Sequence, residues 1–298
     1  MPQVLVAGAG VIGLSCAVRL AERGHRVDVV TRDLPADTTS STAAALWYPY
    51  LAHPPGRVTA WSTTTYREFT RLAEIPETGV RLLQGTEFLA EPTPTPAWAD
   101  AVPNFARLDH GWTFTAPTID MSVYLPWLVA RLESLGGRIV QETLDELPTA
   151  PVIVNCTGLG ARDLIGDTSL TPVRGQVLVL EKTDLTTWWL DASTPDRLCY
   201  VIPRLHDTIV GGTSQPGNWS RTPDPETAQE ILHRATRAIP SLESARVLAH
   251  KVGLRPARPT VRLETEQTSR GLVVHCYGHG GAGVTLSWGC ADEVAALL

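Results

Sequence analysis

The chain has 298 residues, of which 43% are hydrophobic and 19% charged, the balance of an ordinary globular protein rather than a disordered or fibrous one. A net charge of -6 excludes nucleic acid and an anionic membrane surface as main partners. No apolar run reaches the ~18 residues of a membrane span.

The five cysteines (Cys16, Cys156, Cys199, Cys276 and Cys290) lack CxxC spacing and are odd in number, which predicts buried free thiols in a reducing compartment. A strand-like Val4-Leu5-Val6 begins almost at Met1 and leaves no room for a signal peptide, and no peroxisomal tripeptide stands at Leu298. A cytoplasmic protein is expected.

In chain order, Val4 to Ala7 reads as a buried parallel strand and Arg26 to Val30 as a second. Between them, Val11 to Arg23 reads as a helix with Leu14, Val18 and Ala21 on one face and Gly24 as its C-cap. This βαβ unit has the length that a dinucleotide fold needs. Its turn is Gly8-Ala9-Gly10-Val11-Ile12-Gly13. Gly8 permits a tight turn, Gly10 lets backbone approach a pyrophosphate, and Gly13 allows close helix–strand packing, while the helix N-terminus supplies amides and partial positive charge. An acidic residue normally ends the second strand, but here the sequence is Thr31-Arg32-Asp33. Either Asp33 receives the ribose one place late or Arg32 lies against the adenine.

Thr38 to Thr42 is a hydroxyl cluster suited to capping or to phosphate and ribose. From about 55 to 115, alternating segments such as Val80 to Gln84 and Gly111 to Phe114 flank a Pro/Thr loop and predict an inserted antiparallel sheet. Met121 to Leu135 is a predicted helix, followed by strands at Arg138–Gln141 and Val152–Cys156. Short strands dominate from Gln176 to about Gln215, and Pro223-Asp224-Pro225-Glu226 opens a helix to about Ile239. The tail carries Gly253-Leu254-Arg255-Pro256-Ala257-Arg258-Pro259, then Tyr277-Gly278-His279-Gly280-Gly281-Ala282-Gly283 running into an apolar helix from Val284 to Leu297. A glycine loop at a helix N-terminus gathers amides round an anion or a polar ring edge.

Taken together, these blocks are similar to those of the D-amino-acid oxidase family of FAD-dependent enzymes, with a glutathione-reductase-type flavin fold. The likeness adds Ala43-Ala44-Ala45-Leu46-Trp47-Tyr48-Pro49-Tyr50, Val154 to Gly158, Arg174-Gly175-Gln176, Tyr200 to Pro203 and Gly217 to Ser220, and covers nearly the whole chain, expected to be a bacterial member. The resemblance implies an α/β fold: a Rossmann-like FAD-binding domain (1–54, 117–175 and 250–298) with an inserted, mainly antiparallel β-sheet substrate domain (55–116 and 176–249).

The resemblance also implies site residues. Arg255 pairs with the substrate carboxylate, for which a planar guanidinium is the matching fork, and the Tyr200 hydroxyl joins it. The backbone carbonyl of Gly281 accepts from the substrate amine, and Leu46, Tyr48 and Ile202 line the side-chain pocket. No acid–base group and no metal are called for. FAD falls to Gly8, Ala9, Gly10, Val11, Ile12 and Gly13, to Arg32 and Asp33, and to Thr38, Thr39 and Ser40. It falls also to Ala44, Ala45 and Leu46, to Leu144, Thr157 and Gly158, and to Gly280, Gly281, Ala282, Gly283, Val284 and Thr285. Arg258 is expected in a structural ion pair and His279 in a structural role. The family's second, lid-borne tyrosine is replaced by Asp196.

The implied reaction is oxidative deamination of D-amino acids, with O2 returning as H2O2, in a cytoplasmic homodimer. Rival readings are a glycine or sarcosine oxidase, a D-aspartate oxidase using Arg197 or Arg204 for the second carboxylate, and a non-catalytic flavin-binding module.

Overall fold

The computed structural model describes residues 3–50, 52–194 and 197–298; Asp196 lies outside them. It opens with strand β1 (Gln3–Ala7), helix α1 (Val11–Glu22) and strand β2 (Arg26–Thr31), as the βαβ pattern requires. Helix α2 (Pro55–Leu72) precedes β3 (Val80–Leu89), β4 (Ala106–Leu108) and β5 (Gly111–Ile119). Helix α3 (Met121–Ser134), β6 (Arg138–Gln141), β7 (Val152–Asn155) and the single-turn α4 (Ala161–Leu164) follow. Then come β8 (Thr171–Glu181), β9 (Trp188–Ala192), β10 (Cys199–Pro203), β11 (Asp207–Gly211), β12 (Gln215–Pro216) and α5 (Pro225–Ala238). The chain closes with β13 (Val247–Thr268), β14 (Gly271–His279) and α6 (Gly283–Ala296).

All strands join one sheet in the order β4-β5-β3-β9-β10-β11-β8-β13-β14-β7-β1-β2-β6, with β12 also on β8. At one end β14, β7, β1, β2 and β6 run parallel, with Val6 opposite both Val29 and Val154. Val4, Val6, Val29 and Val154 are wholly buried, which is why these strands read as apolar runs rather than alternations. The other end is antiparallel except for the β3–β9 pair. The 22-residue β13 ties the ends together, pairing with β8 through Ala257 and with β14 from there to Thr268.

Helix α3 holds Pro126 in its interior, a residue that removes a ladder bond and costs about 3 kcal/mol. Tyr124, Leu125, Leu128 and Leu132 are buried on its inner face, and at about 1.5–3 kcal/mol each their burial outweighs the proline. Asp120 caps the helix by accepting from the Ser122 amide at 3.0 Å. Asp224 does the same for α5, accepting from Thr227 at 3.0 Å.

Helix α2 is an addition to the antiparallel segments expected between 55 and 115. Five threonines and a serine in its span depress helix propensity, yet tertiary contact decides. Val58, Trp61, Tyr66, Phe69 and Leu72 are buried, and the Thr65 hydroxyl accepts from the Gly289 amide of α6 at 2.9 Å. The two helices approach so closely that a Cβ on Gly289 would stand 2.3 Å from the Trp61 carbonyl.

Candidate active site

A cavity of about 810 Å³ runs from the C-terminal ends of β1, β2, β7 and β14 to the inner face of the antiparallel sheet. Open α/β sheets bind their ligands at such strand ends. Gly8 leaves β1 with φ +105°, and a Cβ there would lie 2.6 Å from the Cys156 carbonyl. A Cβ on Gly13 would lie 1.9 Å from the Gly8 carbonyl. No L side chain fits either place, so α1 presses directly against the turn and its N-terminus faces the cavity. The Ala9 amide donates to Thr31 Oγ1 (3.2 Å) and the Val11 amide to Ser40 Oγ (2.9 Å), so the Ser40 hydroxyl sits at the positive end of α1. Arg32 and Asp33 pair with one another at 2.7 Å at the same end.

At the other end, β13 brings in Arg255 where its pairing passes from β8 to β14. The guanidinium lies over Gly175, and Nη1 donates to the Thr213 carbonyl at 3.0 Å. The Tyr200 ring lies over Gly211, where a Cβ would meet its hydroxyl at 2.4 Å. Burial pushes the Tyr200 hydroxyl up, so it remains a donor at neutral pH, though Arg255 beside it pulls the other way. The ring of Tyr50 backs Gly281 in the same manner, at 2.4 Å from a Cβ position. Thr285 and the Tyr48 backbone exchange hydrogen bonds at 2.9 and 3.0 Å, locking this wall segment to the start of α6.

Among the described residues, Glu87 of β3 is the acidic residue of this end. It is 3% exposed, yet it lines the cavity. The Tyr48 hydroxyl donates to one oxygen at 2.9 Å and the Trp112 indole N–H to the other at 2.5 Å. Burial raises its pKa, and the two donors oppose that shift.

Of the residues the sequence assigns to a cofactor, all but Gly13 and Ala282 line the cavity. Gly13 packs beneath the turn, and Ala282 is the buried N-cap of α6. Arg255, Tyr200, Gly281, Leu46, Tyr48 and Ile202 all line it. Arg258 pairs with Asp167 at 3.0 Å, and Asp167 also accepts from the Tyr277 hydroxyl at 2.7 Å. His279 lines the cavity with its ring pushed down to about 3 by burial, so it is neutral at physiological pH. Its nearest polar partner is the Cys276 sulfur at 3.9 Å. Arg204 is buried in a bidentate pair with Asp207 at 2.6 Å, and Arg197 is exposed. Neither reaches the cavity wall.

Residues 3–297 match the family described as FAD dependent oxidoreductase. The chain belongs to this family. It is 46% identical over 310 residues to the D-amino-acid oxidase of Rubrobacter xylanophilus, covering 99% of this chain and 95% of that protein. With the D-amino-acid oxidase of Streptomyces coelicolor it shares 43% over 307 residues, covering 99% and 96%. Among solved structures it resembles the glycine oxidase of Geobacillus kaustophilus, with a TM-score of 0.79 at 20% identity over 99% of this chain and 94% of that one; this likeness speaks to fold alone.

The cavity residues fit FAD. The Gly8–Gly13 cradle admits backbone where a side chain would collide, and α6 begins at Ala282 without a side-chain cap or an acidic residue in its first turn. Its first amides therefore face the cavity at Gly283, Val284 and Thr285, where they attract negative charge. Sequence reasoning missed Glu87, Tyr50 and the beds at Gly175 and Gly211. Glu87 sits in a strand whose alternation was visible, but nothing in that alternation says which face meets a cavity.

Proposed function

We propose that this protein oxidises D-amino acids to 2-oxo acids and ammonia, with O2 as the final acceptor. The observation that carries this reading is the placing of Arg255 and Tyr200 at one end of a cavity whose other end is the Gly8–Gly13 cradle. The names of the two D-amino-acid oxidases that share over 40% of its sequence support it. FAD, when bound, supplies the hydride acceptor and passes the electrons to O2 as H2O2.

In this reading the Arg255 fork holds the substrate carboxylate, because its Nη1 is braced on Thr213 and its plane on Gly175. Tyr200 donates a further hydrogen bond to the same carboxylate. The Gly281 carbonyl accepts from the amine, a role that needs no side chain, and Tyr50 fixes that stretch of backbone. Two anchored substituents leave the α-hydrogen one direction, and orientation of this kind is worth several kcal/mol of barrier. The L-enantiomer held by the same anchors presents its side chain where the hydrogen must be. His279, neutral and buried, takes no part in proton transfer.

Leu46, Tyr48 and Ile202, joined by Leu190 and Leu198, leave room for a side chain beyond the hydrogen of glycine. Among the described residues lining the substrate end, Arg255 is the only cation, which disfavours D-aspartate. The parallel end of the sheet, with 1–54, 117–175 and 250–298, serves as the FAD-binding unit, and 55–116 with 176–249 as the substrate unit. A cytoplasmic homodimer belongs to the same proposal, and light scattering and cell fractionation test it. No helix in the described residues is long and apolar enough to cross a membrane. The deciding experiment is a visible spectrum followed by a peroxide assay with D-alanine, L-alanine and glycine. A yellow protein that makes peroxide from D-alanine and not L-alanine is expected. A colourless protein, or no peroxide from any D-amino acid, overturns the reading.

A further inference from the structure

Glu87 is a buried acid in the wall of a chamber otherwise lined near it by apolar and aromatic groups. It pairs in register with Leu190 of β9, and Leu190 pairs with Tyr200 of β10. Residues directly opposite on neighbouring strands project to the same face, so Tyr200 and Glu87 face one chamber two strand spacings apart, about 10 Å. Tyr48 and Trp112 occupy two of the acceptor positions on the carboxylate, which has about four. Both partners are neutral, so among the described residues the buried carboxylate has no paired counter-charge, a costly arrangement unless a ligand completes it.

We infer that Glu87 is a specificity residue that receives the distal cation of D-lysine, D-ornithine or D-arginine and rejects D-glutamate and D-aspartate. The inference rests on the oxidase reading above. With the α-carboxylate on Arg255 and Tyr200, a side chain ending in ammonium or guanidinium spans the chamber to Glu87, whereas the methyl of alanine does not approach it. A carboxylate at the same depth meets a like charge in surroundings of low dielectric. The strand geometry thus sets a cation-binding group and an anion-binding group on opposite sides of the substrate chamber.

The test compares kcat/KM for D-lysine with D-norleucine, which has the same chain without the charge, and for D-glutamate with D-glutamine. Both comparisons are made in the holoenzyme of wild type and of Glu87→Gln. Glu87→Gln is expected to lower the D-lysine to D-norleucine ratio about 10- to 100-fold, the worth of a charged hydrogen bond, and to raise the D-glutamate to D-glutamine ratio. A parallel loss on D-lysine and D-norleucine would mark Glu87 as merely supporting Tyr48, and overturns the inference. Should the variant fail to bind FAD, the wild-type enzyme still decides: D-glutamate used as well as D-glutamine overturns it, and discrimination of about tenfold or more against D-glutamate supports it. If D-norleucine and every other D-amino acid are inert, it is the oxidase reading itself that falls.

Discussion

The guanidinium of Arg255 rests on the bare backbone of Gly175, so near that a Cβ on Gly175 would lie 2.5 Å from Cζ and both terminal nitrogens. The two residues come from strands β13 and β8, which are paired at Gly253 and Gly175, and the long side chain turns back over its neighbour. A glycine on one strand thereby sets the position of a cation on another.

Gly175→Ala is therefore expected to displace the Arg255 fork and to raise KM for D-alanine about 10- to 100-fold, the loss of one charge-assisted carboxylate contact. Steady-state kinetics check this, with thermal melting as control. An unchanged KM would show that Arg255 does not bear on the substrate.

Gly8→Ala places a methyl against the Cys156 carbonyl at 2.6 Å and forces an L residue to φ +105°. Strain of about 1–3 kcal/mol at that turn shifts the cradle. FAD affinity is expected to fall about 10- to 100-fold, measured by flavin fluorescence on dilution. Wild-type affinity in the variant would detach the turn from cofactor binding.

Acid stability follows from His279. Its folded-state pKa of about 3 lies below the unfolded value near 6.5, so between those limits the unfolded chain binds a proton that the folded one refuses. Stability is therefore full above about pH 6.5 and falls as pH drops toward 3, at up to about 1.4 kcal/mol per unit for this group. His275, also lowered first by burial, adds to the slope. His279→Asn should flatten the pH dependence of the urea midpoint from pH 6.5 to 4.5 with FAD in excess; parallel wild-type and variant curves would refute the assignment.

Gly289→Ala drives a methyl into the backbone of α2, whose Trp61 Cα would be 2.4 Å away. Helix α2 must then lift from α6, at about 1–3 kcal/mol for overpacking. The melting temperature is expected to drop by about 3–10 °C in differential scanning fluorimetry. No drop would mean that the helices separate freely.

Much of this site lay open in the sequence. The βαβ turn, the closing glycine loop and the Arg-Pro segment are local signals, because each demands its residue types at fixed short spacing. Arg255, Tyr200 and Gly281 were reachable only through family likeness, since no local rule brings positions 55 and 81 residues apart to one cavity. Helix α2 escaped because its many threonines weaken the local helix signal; the Thr65–Gly289 contact that sustains it joins residues 224 apart.

By itself the sequence determined the dinucleotide turn and the parallel strands around it, since period, glycine placement and strand–turn–helix order are properties of short segments. The tertiary structure alone decided that Arg255 lies on Gly175, Tyr200 on Gly211 and Tyr50 on Gly281, and that Glu87 faces Tyr200 across Leu190. Those facts depend on strand order and register in a single continuous sheet, and register is fixed by burial across the whole molecule rather than by any one strand.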